Sequence, residues 1–175
     1  MVMWHTPQVF ITREQIHDVV QRLAAEIRRD YRAAPPLLLS TLKGSFMFLA
    51  DLVRLLDLPV EIAFIRLSSY GSGTVSRGQI EVVQDLYEEI RARHILLIED
   101  IIDTGRTVDF LHAYLAPRAP ASVRVCTLLD KPQRRQVPVT IDYRGFTIPD
   151  VFVVGYGLDW HEQYRHLPDI CVLQP

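Results

Sequence analysis

The stretch at residues 95–108, Ile-Leu-Leu-Ile-Glu-Asp-Ile-Ile-Asp-Thr-Gly-Arg-Thr-Val, leaves few folds open to this chain. Its first half is a continuous apolar run, which marks a strand buried on both faces and hence a parallel sheet. Two adjacent carboxylates, Glu99 and Asp100, fall where that strand is expected to end. Asp103 then opens a short loop of Thr104, Gly105, Arg106 and Thr107, and a helical pattern follows with Val108, Leu111, Ala113 and Leu115 as its apolar positions. Strand, acidic pair, small-residue loop and helix, in that order, put ligand-binding groups at the carboxyl end of a strand, where open α/β sheets bind their ligands.

The chemistry of the stretch follows from its residue types. A helix that starts at Thr-Gly-Arg-Thr offers unpaired backbone N–H groups at the positive end of its dipole, which suits phosphate. Threonine hydroxyls add donors, and glycine lets the backbone approach the anion. Extended neighbours project to opposite sides, so Glu99 and Asp100 do not make a glycosidase-type carboxylate pair. They suit either the hydroxyls of a vicinal diol or a divalent cation beside a polyphosphate. A phosphorylated ribose satisfies all of these groups together. The plainer alternative is that the acids cap the helix and the loop is an ordinary connection.

The rest of the chain fits an α/β protein of one domain, residues 1–175, in which strands alternate with helices around a mostly parallel sheet. Thr12 and Gln15 make a capping box, with Ile11 and Ile16 as a hydrophobic staple, for a helix to about residue 29 striped by Ile16, Val19, Val20, Leu23 and Ile27. Residues 1–10 read as an extended arm. A short buried strand at 37–41 ends in Leu42-Lys43-Gly44-Ser45 before an apolar helix at 46–56, a second anion site at a helix start with a formal charge from Lys43. Strands are expected at 60–67, 79–84, 122–129, 150–155 and 170–173. Residues 68–78, rich in glycine and hydroxyls, suit a lid; Gly71 and Gly73 lack the third glycine of a dinucleotide motif. Pro132 ends the strand before it and fixes Lys131 there, whereas residues 133–135 carry no assignment.

Composition excludes some classes. A net charge of -2 gives no reason to expect nucleic-acid or membrane binding. No basic-then-apolar leader and no membrane-length apolar run is present, so a cytoplasmic protein is expected. Cys126 and Cys171 lack CxxC spacing and lie in apolar runs, as buried free thiols do.

The segment from Glu99 to Thr107 resembles the phosphoribosyl-pyrophosphate signature of the type I phosphoribosyltransferases, in a form close to that of the hypoxanthine-guanine branch, and further landmarks run in order from Lys43 to Arg165. The resemblance implies the type I phosphoribosyltransferase fold: a mostly parallel central sheet flanked by helices, a small hood from the terminal segments and a flexible lid with Ser69 and Tyr70 at its start. It implies purine salvage, in which hypoxanthine, and guanine with it, reacts with 5-phosphoribosyl-1-pyrophosphate to give IMP (GMP) and pyrophosphate, with Mg²⁺ as cofactor. By the same resemblance Lys43 and Gly44 form a pyrophosphate loop, often with a cis bond before the lysine, and Arg165 contacts pyrophosphate. Glu99 and Asp100 hold the ribose hydroxyls and the magnesium associated with them, Asp159 lies near the base and the second metal, and Thr104, Gly105, Arg106 and Thr107 serve the phosphate. Asp103 is the general base at purine N7, unless it only caps the helix. Lys131 donates to the purine 6-oxo group, Phe152 stacks on the base unless it is simply core, and Val153 reads the base edge with its backbone. Arg77, Trp160 and His161 depart from the family pattern. A homodimer or homotetramer is implied.

Two other readings stay in view. One is a regulator of the same fold that senses the phosphoribosyl ligand and binds nucleic acid. Asp103, Lys43 and Lys131 together, and the slightly acidic charge, favour the enzyme. The other keeps the reaction but takes uracil or adenine, against which Lys131 and Phe152 argue.

Overall fold

A computed structural model describes residues 6–69 and 80–173, with the side chain of Ser69 outside the description. Strand β1 (Gln8–Ile11) leads into helix α1 (Arg13–Tyr31), whose start is the expected capping box: the Thr12 side chain accepts from Gln15 N–H, and the Gln15 side chain accepts from Thr12 N–H. Ile11 and Ile16 are both buried, as the staple requires. Then follow β2 (Leu37–Leu42), α2 (Phe46–Leu56), β3 (Glu61–Ser69), β4 (Ile80–Gln84), β5 (His94–Ile102), α3 (Arg106–Leu115), β6 (Ser122–Asp130), β7 (Tyr143–Thr147), β8 (Val153–Val154) and β9 (Ile170–Val172).

Six strands form one sheet in the order β4-β3-β2-β5-β6-β7. All neighbours in it are parallel except β4 against β3. The alternation along β2 and β5 divides the core between the two faces. Leu38, Leu96 and Ile98 join Leu23, Ile27, Phe48 and Leu52 of α1 and α2 on one face. Leu37, Leu39, Ile95 and Leu97 join Val108, Leu111 and Leu115 of α3 on the other. The doubly covered, apolar β5 therefore runs through the middle of the sheet, as its sequence dictates. Both cysteines are buried free thiols.

The structure corrects several expectations. β5 continues through Glu99 and Asp100 to Ile102, because Glu99, Ile101 and Ile102 keep their pairing with Thr127, Leu129 and Asp130 of β6. Ala113 is exposed, outside the stripe of α3. The amino-terminal arm is a strand over Gln8–Ile11, held antiparallel by β9. The strand expected at 150–155 shrinks to Val153–Val154, the two residues that find partners in β9. Strand β7 was not foreseen. Strands β1, β9 and β8 make a second, three-stranded sheet from both ends of the chain. Tyr70, Arg77 and nearly all of the expected lid lie outside the described residues. Among the described residues no helix is long and apolar enough to cross a membrane.

Candidate active site

The carboxyl ends of β2, β3 and β5 enclose a cleft of about 260 Å³ lined by Thr41, Leu42, Gly44, Ser68, Asp100 and Thr107, among others. Three stretches far apart in sequence thus meet there: the Lys43 loop, the acidic pair and the start of α3. The Leu42–Lys43 peptide bond is cis. Ser45 anchors the loop from below, since its hydroxyl donates to the Thr41 carbonyl and lies 2.7 Å from the Ser40 hydroxyl. Gly44 has no room for a side chain: a Cβ there would lie 1.6 Å from Asp100 Oδ2, so the absence of one lets the loop and the carboxylate meet.

The two adjacent acids differ in environment. Glu99 is 4% exposed and accepts a 2.5 Å hydrogen bond from the Thr41 hydroxyl through Oε2, while its buried Oε1 has no partner. Burial, then the neighbouring Asp100 charge, pushes its pKa up to about 8 against the pull of the Thr41 hydrogen bond. Asp100 is half-buried beside Gly44 and accepts from Ile101 N–H at 2.9 Å. Desolvation raises it to about 6, opposed by backbone hydrogen bonds and the Arg165 charge and helped by Asp159. Those last two effects place Arg165 and Asp159 within electrostatic reach of Asp100. An orphaned buried oxygen on Glu99 and the half-buried carboxylate of Asp100 fit a hydroxylated, cation-bearing ligand. Among the described residues no three such side chains converge as a ready-made metal site.

At the start of α3, Gly105 takes φ +84°, the left-handed conformation that glycine adopts without strain. That turn presents the start of α3 to an anion, where Arg106 N–H makes only a 3.4 Å hydrogen bond to the Thr104 hydroxyl and Thr107 lines the cleft. Asp103 does not cap α3, whose N-cap is Gly105 with no side-chain capping bond; it accepts from the neighbouring Thr104 N–H through Oδ1 at 2.5 Å and is half-buried. Lys131 lies next to it: its N–H donates to the Ile102 carbonyl at 2.9 Å. The lysine side chain is buried and donates to the Val151 carbonyl, and desolvation lowers its pKa. Phe152, the next residue, is 53% exposed, which removes the core-packing reading and leaves its ring open to a partner. Val153 is buried, with its backbone in β8.

Five contributors were not legible as such. Thr41 holds Glu99. Arg135, in a stretch that carried no assignment, donates from Nε to the Asp103 carbonyl at 3.0 Å and from Nη2 to the buried Asp130. Gln136 and Val137 N–H groups both reach the Thr104 carbonyl, so residues 135–137 clasp the Asp103 loop. Glu162 bridges Lys43 (2.5 Å) and Arg165 (3.3 Å). Trp160 and His161, the departures from the family pattern, pack their rings 4.9 Å apart, and Trp160 stacks on Tyr164.

A phosphate-cradling helix start beside an acidic pair, at the carboxyl end of a parallel sheet, marks a phosphoribosyltransferase, and comparison with known proteins agrees. A family model described as a phosphoribosyl transferase domain matches residues 12–161. A hypoxanthine-guanine phosphoribosyltransferase of Streptococcus pneumoniae is 46% identical over 95% of this chain and 93% of its own. A hypoxanthine phosphoribosyltransferase of Salmonella typhimurium is 44% identical over 95% and 94%. The crystal structure of a hypoxanthine-guanine phosphoribosyltransferase from Bacillus anthracis superposes with a TM-score of 0.92 at 41% identity, over 98% of this chain and 100% of that one. The chain belongs to the phosphoribosyltransferase family, in its hypoxanthine(-guanine) branch.

Proposed function

We propose that the protein transfers the phosphoribosyl group of 5-phosphoribosyl-1-pyrophosphate to a 6-oxopurine, hypoxanthine or guanine, releasing pyrophosphate. The observation that carries this is the meeting, at the carboxyl end of the sheet, of the Lys43–Gly44 loop, Asp100 and Thr107 in a single cleft, with Asp103 and Lys131 adjoining through the Ile102 carbonyl.

The start of α3, with Thr104, Gly105, Arg106 and Thr107, holds the 5-phosphate. Glu99 and Asp100 accept from the ribose hydroxyls, and their carboxylates favour the positive charge that the ribose gains as its bond to pyrophosphate breaks. Lys43 and Arg165 neutralise the departing pyrophosphate. Mg²⁺, when bound, screens the polyphosphate, with Asp100, Asp159 and the unpartnered oxygen of Glu99 as the protein groups suited to it and to its water shell. The bond that forms joins a purine ring nitrogen to C1 of the ribose, and the proton on N7 passes to Asp103.

Base choice lies with Lys131. Its ammonium, held by the Val151 carbonyl, donates a further hydrogen bond to a 6-oxo group, whereas adenine presents donors there and would leave that donor unmatched. Phe152 stacks on the ring and the Val153 backbone reads its edge. The regulatory alternative is not supported: the relatives described above are named as transferases. The enzyme works in the cytoplasm as a homodimer or homotetramer, for which the outward Ile62 and Phe64 of β3 supply apolar surface. The test is single-turnover nucleotide formation by the parent and Asp103→Asn. Substrate binding retained with the chemical step slowed at least about a hundredfold supports the assignment. An unchanged step removes Asp103 from the chemistry.

A further inference from the structure

The two cations assigned to pyrophosphate are already partnered by a carboxylate of the protein. Lys43 Nζ lies 2.5 Å from Glu162 Oε2, and Arg165 Nη2 lies 3.3 Å from the same oxygen. One carboxylate oxygen thus bridges the two groups that a pyrophosphate would bridge. Arg165 is fixed independently, by Asp159 Oδ1 at 2.8 Å and by its own hydrogen bond to the Gly157 carbonyl at 2.7 Å. Its position does not depend on Glu162.

The backbone is shaped to deliver this contact. Trp160 and Gln163 exchange both main-chain hydrogen bonds, at 3.2 and 3.0 Å, across a two-residue turn whose central residues are His161 and Glu162. These take φ +50° and +63°, a left-handed conformation that such turns usually give to asparagine or glycine. Glutamate is not among the residues that favour it, and strained backbone of this kind collects at sites where geometry serves function. Glu162 N–H donates to Asp159 Oδ2 at 2.8 Å, which ties the turn to the site. The Glu162 side chain is 63% exposed, so it swings into water without a packing penalty.

We infer that Glu162 is an internal stand-in for pyrophosphate: it occupies the leaving-group subsite when that is free, is displaced by the pyrophosphoryl group of the substrate, and competes with pyrophosphate for Lys43 and Arg165 after the reaction. This rests on the reading that Lys43 and Arg165 hold pyrophosphate. The consequence is a subsite tuned for release rather than for tight retention. An exposed carboxylate shared between two cations competes weakly, so its removal tightens pyrophosphate binding by about two- to fivefold.

The experiment is calorimetric titration of magnesium pyrophosphate into the parent, Glu162→Gln, Lys43→Ala and the double variant, with product inhibition by pyrophosphate measured alongside. Glutamine keeps the shape of the turn and removes the charge. The expected result is tighter pyrophosphate binding and a proportionally lower inhibition constant in Glu162→Gln, weaker binding in Lys43→Ala, and a smaller effect of Glu162→Gln in the Lys43→Ala background. If Lys43→Ala weakens pyrophosphate but Glu162→Gln leaves it unchanged or weaker, Glu162 only steadies the cations: the inference is wrong and the reading beneath it survives. If Lys43→Ala and an Arg165→Gln variant both leave pyrophosphate affinity unchanged, the reading fails and the inference with it.

Discussion

Replacing Arg135 by methionine tests whether the residue 135–137 clasp positions the catalytic loop. The substitution keeps the apolar stem and removes every donor. In the parent, the Asp130 side chain is 4% exposed and has two cationic partners, Arg135 Nη2 and Arg144 Nε, the latter at 3.1 Å. Breaking a buried ion pair outright costs about 3–5 kcal/mol. Arg144 remains, although half-exposed, so roughly half of that penalty applies, about 2 kcal/mol. The hydrogen bond from Arg135 Nε to the Asp103 carbonyl adds about 1 kcal/mol. Urea unfolding at matched protein concentration should therefore show a loss of about 3 kcal/mol with an unchanged slope. Under conditions where the variant is folded, kcat should fall about tenfold or more because the Asp103 backbone has lost a fixed donor, while substrate KM values change less. An Asp130→Asn, Arg135→Met double variant should be more stable than the sum of the single losses predicts. A stability change under about 0.5 kcal/mol with kcat within twofold of the parent would refute the reasoning.

Three further outcomes follow from the same geometry. Glu99 is raised from 4.5 to about 8 in the folded protein, so its contribution to stability is complete below its unfolded pKa and is lost as pH rises through about 8. Thermal unfolding of the ligand-free protein should show Glu99→Gln more stable than the parent above about pH 8, with the gap closing towards about pH 5; a gap independent of pH contradicts this. Gly44→Ala should fold but push the Asp100 carboxylate aside, raising KM for 5-phosphoribosyl-1-pyrophosphate about tenfold or more with little change for the base; steady-state kinetics with each substrate varied decides it. Lys131→Met should cost about 1.5–3 kcal/mol in kcat/KM for hypoxanthine, the value of a hydrogen bond to a charged group, and equal losses for hypoxanthine and adenine would remove it as the base selector.

What was legible in the sequence was what is local. The Thr12–Gln15 box and the apolar stripe fix α1 within a few residues, and the unbroken run at 95–98 places β5 at the centre of the sheet before any partner is known. The acidic pair and the Thr-Gly-Arg-Thr turn are contiguous, so their chemistry could be read directly. Strand β7 escaped because Tyr-Arg-Gly-Phe-Thr has neither clean alternation nor a long apolar run. β8 was overextended because its length is set by β9, which joins it from the far end of the chain. Arg135 and Glu162 were illegible for a related reason: they act on residues 32 and 119 positions away, and an exposed-looking charge carries no mark of the carbonyl or ammonium it will meet.

The most direct test is nucleotide formation from 5-phosphoribosyl-1-pyrophosphate and Mg²⁺ with hypoxanthine, guanine, xanthine, adenine or uracil offered singly. Hypoxanthine or guanine should turn over, adenine and uracil should stay below about a hundredth of that rate, and chelation should abolish activity. Phosphoribosyl pyrophosphate that binds while no base reacts would contradict the proposed function.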